Sequence, residues 1–165
     1  MSRWRPPAAP GSPYITAAGY RALEAEAKAL WDKRGEVVRH LAAAAAEGDR
    51  SENAEYIYRK KELREIDRRL GYLQRRMPKL TVVAEAPPRR DRVYFGAWVT
   101  LEDEAGAETV RRIVGSDEAD GARGEISVDS PLARALLGRA PDDEVAVSTA
   151  EREMRYVVID VRYTA

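Results

Sequence analysis

Apolar and polar positions along this chain change their period once, and the change divides it. From Thr16 onward, Tyr20, Leu23, Ala27, Leu30, Arg34, Val37, Leu41 and Ala44 follow at alternating three- and four-residue steps, the seam of a helix that packs along another helix. Thr16 is placed to cap it. Arg34 is the one polar break, and Gly35 beside it predicts a loosened or kinked turn, since a mid-helix glycine costs about 1 kcal/mol relative to alanine. A second seam, Leu63, Ile66, Leu70, Leu73, Met77 and Leu80, has a register that extends back to Tyr56. The short link between the seams leaves no chain for a parallel return, so they predict an antiparallel coiled-coil hairpin. A first helix over residues 16–46 would run for about 46 Å at about 1.5 Å per residue. That length holds the tip, residues 47–55, far from the rest of the protein, and the alanine run at 42–46 allows close helix approach beneath it.

Residues 84–92, with Pro87-Pro88, interrupt the helical period and read as a linker. Beyond them the period falls to two. Residues 93–101 and 108–114 flank an acidic turn containing Gly106, as in a β-hairpin, and 125–128, 144–148 and 155–161 are further strand candidates. Ser130-Pro131 opens a short helix over 132–137 that ends at Gly138. The expected class is α+β in two domains: a helical hairpin over 14–83, the linker, and a small antiparallel-sheet domain with one short helix over 93–165. Residues 1–13, with four prolines, two arginines and no periodicity, read as a mobile tail.

Composition narrows the chemistry. The 165 residues include no cysteine, which excludes disulfides, thiolate zinc sites and thiol catalysis. One histidine, His40, excludes multi-histidine metal sites and reads as a surface or seam-edge residue. No apolar run approaches the roughly 20 residues of a membrane span, and the N-terminus has no apolar signal core, so a cytoplasmic protein is expected. The 28 basic and 28 acidic side chains sum to zero, but unevenly: residues 1–92 carry 20 basic and 13 acidic groups, residues 93–165 carry 8 and 15. The basic half is suited to an anionic partner.

Two constellations carry candidate chemistry. The tip gathers Glu47, Asp49, Glu52 and Glu55. Asp49-x-x-Glu52 fits a helix capping box; alternatively, carboxylates on the end of a long lever complete a metal site supplied by a partner. Two carboxylates cannot enclose Mg²⁺ alone, because it takes six oxygens, and a centre that uses two metal ions on phosphodiesters is the natural recipient. The second helix carries Lys61, Arg68 and Arg75 at seven-residue spacing, with Lys60, Arg64, Arg69 and Arg76 beside them. This is either a solubilising face or a track for a nucleic-acid backbone. Trp31, Tyr56, Tyr58 and Tyr72 are packing residues or stacking platforms for bases.

The stretch Gly48-Asp49-Arg50-Ser51-Glu52-Asn53-Ala54-Glu55-Tyr56, followed by Tyr58-Arg59-Lys60-Lys61-Glu62-Leu63-Arg64-Glu65-Ile66-Asp67-Arg68-Arg69-Leu70, resembles the bacterial GreA/GreB transcript-cleavage factors, with the GreB branch most similar. Ile126-Ser127-Val128-Asp129-Ser130-Pro131-Leu132-Ala133-Arg134-Ala135-Leu136 extends the resemblance to the second half, and Phe95-Gly96-Ala97-Trp98-Val99 fits there too. The resemblance implies a coiled-coil hairpin followed by an FKBP-like domain. It implies a monomeric accessory factor, not an enzyme, that binds RNA polymerase and inserts its hairpin into the secondary channel. There it would stimulate cleavage of the displaced 3′ segment of backtracked nascent RNA. The family's two essential tip acids fall on Asp49 and Glu52, which by analogy help hold Mg²⁺ jointly with the polymerase; the factor has no cofactor of its own. The family's RNA-facing basic patch falls on Lys60, Lys61, Arg64, Arg68 and Arg69, and its polymerase contact on Asp129, Ser130 and Pro131. Glu62 departs from the pattern by placing an acid within the basic stretch, and Pro141-Asp142-Asp143-Glu144 lacks the usual Gly-Asp turn. Three rivals stand beside this reading: a polymerase inhibitor on the same scaffold, a prolyl isomerase and a passive adaptor.

Overall fold

The computed structural model describes residues 9–47 and 53–164. It forms two compact units, one of residues 20–80 and one that joins the residues up to 19 to those from 81 onward.

A short strand β1 (Tyr14–Thr16) leads into helix α1 (Ala17–Ala46). The Thr16 hydroxyl accepts from the Gly19 N–H at 3.0 Å, the N-cap that the sequence predicts. Gly35 does not interrupt α1, which is continuous over 30 residues. Helix α2 (Ala54–Arg76) follows, and a 3₁₀ turn at Met77–Lys79 ends it where Pro78 withdraws its N–H. Contacts between the helices run in opposite senses. Glu26 near the start of α1 meets Arg69 late in α2, Lys33 and Arg34 meet Glu62 and Asp67 midway, and Ala44 near the end of α1 meets Asn53 at the cap of α2. The hairpin is therefore antiparallel. Its buried seam is Leu23, Val37, Ala44, Ile66, Leu70 and Leu73. Each large seam side chain contributes about 1.5–3 kcal/mol by leaving water, whereas an exposed ion pair contributes about 0.2–1 kcal/mol. Apolar burial thus holds the hairpin, and the ion pairs along its edges set its register. Arg34, the break in the first seam, lies at the seam's margin and donates to Asp67 of α2 at 2.7 Å.

In the other unit, β2 (Thr81–Val83) pairs in parallel with β1. Strands β3 (Trp98–Asp103), β4 (Glu108–Val114), β5 (Glu125–Ser127), β6 (Glu144–Ser148) and β7 (Glu153–Arg162) form one sheet in the order β5-β4-β3-β7-β6. Helix α3 (Pro131–Leu136) covers one face. Val93, Ala97, Val99, Leu101, Ile113, Ala133, Leu136, Val145 and Val158 make the core.

Several expectations need correction. The sheet is not wholly antiparallel: β5 pairs with β4 in parallel, because the connection after Val114 carries the chain back to a point beside Arg112 before β5 begins. The first sheet strand starts at Trp98 instead of residue 93. Gly96, at φ 86°, forms a turn in which the Ala97 N–H reaches the Tyr94 carbonyl, so Val93 and Ala97 enter the core from a loop. Residues 14–16 and 81–83, placed by sequence with the hairpin, belong to the sheet unit, where they pair with each other and Thr16 is held by Glu118. The end of the stretch read as a mobile tail is held there too. The Ser12 N–H donates to Asp129 at 2.7 Å, and the Pro13 carbonyl accepts from the Thr81 N–H at 2.8 Å. Where the resemblance implies a Gly-Asp turn, Asp142 takes the left-handed backbone state at φ 73°, which aspartate tolerates better than most residues.

Candidate functional site

At the hairpin tip the described chain stops at Glu47 and resumes at Asn53, so Asp49 and Glu52 lie outside the described residues. Asn53 is the first described residue beyond them. Its side-chain oxygen accepts from the Tyr56 N–H at 3.1 Å, and its amide nitrogen donates to the Ala44 carbonyl at 2.9 Å. Asn53 is therefore the N-cap of α2, and it also ties that helix to the last turn of α1. The cap of α2 is thus Asn53 and not Asp49. Sequence reasoning missed Asn53, although Asn three residues before the first buried-edge tyrosine is a legible cap.

Along α2 the five basic residues divide. Arg69 makes a bidentate pair with Glu26 of α1 at 2.6 and 3.0 Å, and its guanidinium lies 5.3 Å from the centre of the Tyr72 ring. This pairing, foremost the hydrogen bond, holds the Glu26 carboxyl below its usual range. Lys60 extends over Tyr56 at 5.8 Å. Lys61, Arg64 and Arg68 are exposed, and among the described residues no ion pair is recorded for them. At about 3.6 residues per turn these three form one stripe on the face opposite Ile66, Leu70 and Leu73.

Glu62 does not compromise that stripe. Its side chain, only 15% exposed, takes Lys33 of α1 at 3.1 Å and Arg59 at 3.0 Å. Lys33 first, then Arg59, draws its carboxyl below the ordinary range. The acid in the basic stretch is neutralised between the helices, and the outward cations keep their surplus.

Asp129, Ser130 and Pro131 all carry structural duties. Ser130 caps α3 by accepting from the Ala133 N–H at 3.2 Å, and Pro131 fills the first helical position. Asp129 anchors Ser12. Nearby in sequence but unforeseen is Glu118, whose carboxylate accepts from the Thr16 N–H at 2.7 Å and from the Thr16 hydroxyl. No local pattern betrays it, because its partner is 102 residues away. Gly115 lets β1 come close: a Cβ there would sit 2.2 Å from the Tyr14 carbonyl oxygen.

Among the described residues no group of three or more carboxylate or histidine side chains could hold a metal ion, and no helix is long and apolar enough to cross a membrane. A cavity of about 410 Å³ in the sheet unit is lined by the acids Glu102, Asp103, Glu104 and Glu144 together with Arg155 and the apolar side chains of Val145, Tyr156 and Val157.

Comparison with known proteins agrees with these features. Residues 13–82 match the N-terminal domain of transcription elongation factors, and residues 87–163 match the GreA/GreB C-terminal domain. The chain is 55% identical to transcription elongation factor GreB of Xanthomonas axonopodis pv. citri, over 100% of this chain and 99% of that one. It is 53% identical to the GreB factor of Pseudomonas aeruginosa, over 99% and 98%. Among solved structures, GreA factor homolog 1 of Thermus thermophilus aligns over 90% of this chain and 97% of that chain at 22% identity, with a TM-score of 0.43, too loose a likeness to add to the assignment. Both halves of the chain, the hairpin and the sheet unit alike, are matched in order and nearly end to end, and the chain belongs to the GreA/GreB family of transcription elongation factors.

Proposed function

We propose that this elongation factor binds RNA polymerase, enters its secondary channel with the hairpin tip and stimulates cleavage of backtracked nascent RNA. The supporting observation is the uncompensated line Lys61, Arg64 and Arg68 on the helix that starts at the acidic tip. A polyanion follows such a line, and its end is delivered to carboxylates that α2 does not need as caps. Asp49 and Glu52 would hold Mg²⁺ together with oxygen ligands from the polymerase. Their hard oxygens suit that ion, and two carboxylates are the share a protein usually gives it. The bound ion supplies stabilisation of charge on the phosphoryl oxygens. The chain's own residues guide the RNA, set its distance from the tip and place the two carboxylates. Cleavage itself belongs to the polymerase, so the chain acts as an accessory factor.

The test is transcript cleavage in stalled, backtracked polymerase complexes. The wild-type chain should accelerate it. Asp49→Asn should lose at least about a hundredfold of that acceleration, as expected for several kcal/mol of metal-borne stabilisation, while still binding polymerase. Normal acceleration by Asp49→Asn overturns the tip mechanism. Inhibition of polymerase by the wild-type chain without cleavage would favour the channel-blocking alternative.

A further inference from the structure

We infer that Tyr58 is a stacking platform for a base of the displaced RNA, beside the phosphate track, in an extension that rests on the cleavage-factor reading above. Of the aromatic residues on α2, Tyr56 is half-buried beneath Lys60, and Tyr72 is 39% exposed. Tyr58 differs. It is 60% exposed on the second turn from the Asn53 cap, which makes it the most exposed large hydrophobic side chain among the described residues.

Its ring is also held in place. The Arg59 guanidinium lies 5.5 Å from the ring centre. That guanidinium is fixed by Glu55 at 2.8 Å and Glu62 at 3.0 Å, and Glu62 is fixed in turn by Lys33 of α1 at 3.1 Å. An exposed aromatic whose cationic neighbour is clamped by two carboxylates loses little freedom when a second flat ring arrives. Lys61, one turn further on, begins the cationic stripe, so a chain whose phosphates follow Lys61, Arg64 and Arg68 carries its bases past Tyr58. Base-on-aromatic stacking tolerates any sequence, as a factor acting on arbitrary transcripts requires. Trp31, half exposed, is a poorer candidate because it lies on α1 alongside Leu70, Leu73 and Met77, several turns from the cap.

The experiment compares Tyr58→Ala, Tyr58→Phe and wild type on complexes backtracked by a short or a long segment, with polymerase affinity measured in parallel. Loss of a stacked base should raise the concentration of Tyr58→Ala needed for half-maximal cleavage on long segments by about tenfold. The maximal rate should hold, and Tyr58→Phe should restore wild-type behaviour. Equal action of Tyr58→Ala and wild type on long segments overturns the inference and leaves the cleavage-factor reading intact. A matching loss of polymerase affinity without RNA would make Tyr58 a protein contact and overturn it as well. If the wild-type chain stimulates no cleavage, both fall together.

Discussion

The family resemblance implies contact sites on both the outer face of α2 and the Asp129-Ser130-Pro131 segment, yet the fold treats them differently. In the segment each residue has internal work: Asp129 anchors Ser12, Ser130 caps α3 and Pro131 starts it. On α2, Lys61, Arg64 and Arg68 have no recorded partner among the described residues and add nothing evident to the hairpin's packing. The contrast separates two ways in which a functional segment arises. Side chains of the first kind hold a surface in shape, and their backbone and neighbours present it. Those of the second kind are free of the fold and are available to a ligand. Substitution should therefore damage folding in the first region and activity in the second.

Several measurements bear on that contrast. After the loss of cleavage from Asp49→Asn, the largest effect is expected from changing Lys61, Arg64 and Arg68 together to Gln. Action on long displaced RNA should fall by about tenfold or more, and the slope of log affinity against log salt should flatten by about 2, at about 0.7 per phosphate contact. Thermal stability should hold, and cleavage of short segments should fall less. An equal loss on short and long segments, or a lower melting temperature, would return the stripe to a structural role.

Ser130→Ala should cost about 1 kcal/mol of stability through the lost cap, read by denaturant unfolding, and Ser130→Asp should recover most of it. Polymerase binding that fails in Ser130→Ala while the fold stays intact would move Ser130 into the ligand-contacting kind.

The smallest effect belongs to the acids between the helices. Glu26 and Glu62 have carboxyl pKa values lowered in the fold, chiefly by Arg69 and Lys33 respectively. Their stabilising contribution is therefore present above the ordinary carboxylate range and is lost as pH falls through the lowered values. Glu26→Gln with Glu62→Gln should flatten the hairpin's acid-side melting curve, with at most about 1 kcal/mol per exposed pair at neutral pH. Unchanged acid sensitivity in that double variant would show that other groups set the register.

Much of the fold was legible because its signals are local and periodic. The seam positions from Tyr20 to Ala44 and from Tyr56 to Leu80 are those that the structure turns inward or to the margin, since a three-four alternation has one buried outcome on a helix. Ser130-Pro131 likewise announced α3. Less legible were the features that depend on distant chain. The parallel β4–β5 pairing, the β1–β2 ladder and the Glu118 anchor each join residues whose sequence neighbours say nothing of the partner. Within the candidate site, Lys60, Lys61, Arg64, Arg68 and Arg69 could be named from sequence as one basic set. Their division could not, because Arg69 meets Glu26 across 43 residues.

Sequence alone thus determined the helical hairpin, the strand-rich second half, the acidic tip and the basic surplus, all of which follow from spacing and composition within one segment. The folded chain alone assigned the charges. It sent Arg69 to Glu26, turned Glu62 toward Lys33 and Arg59, and gave the cap of α2 to Asn53. A charge is available to a ligand only when no nearer partner claims it, and nearness in space is set by how the two helices lie together.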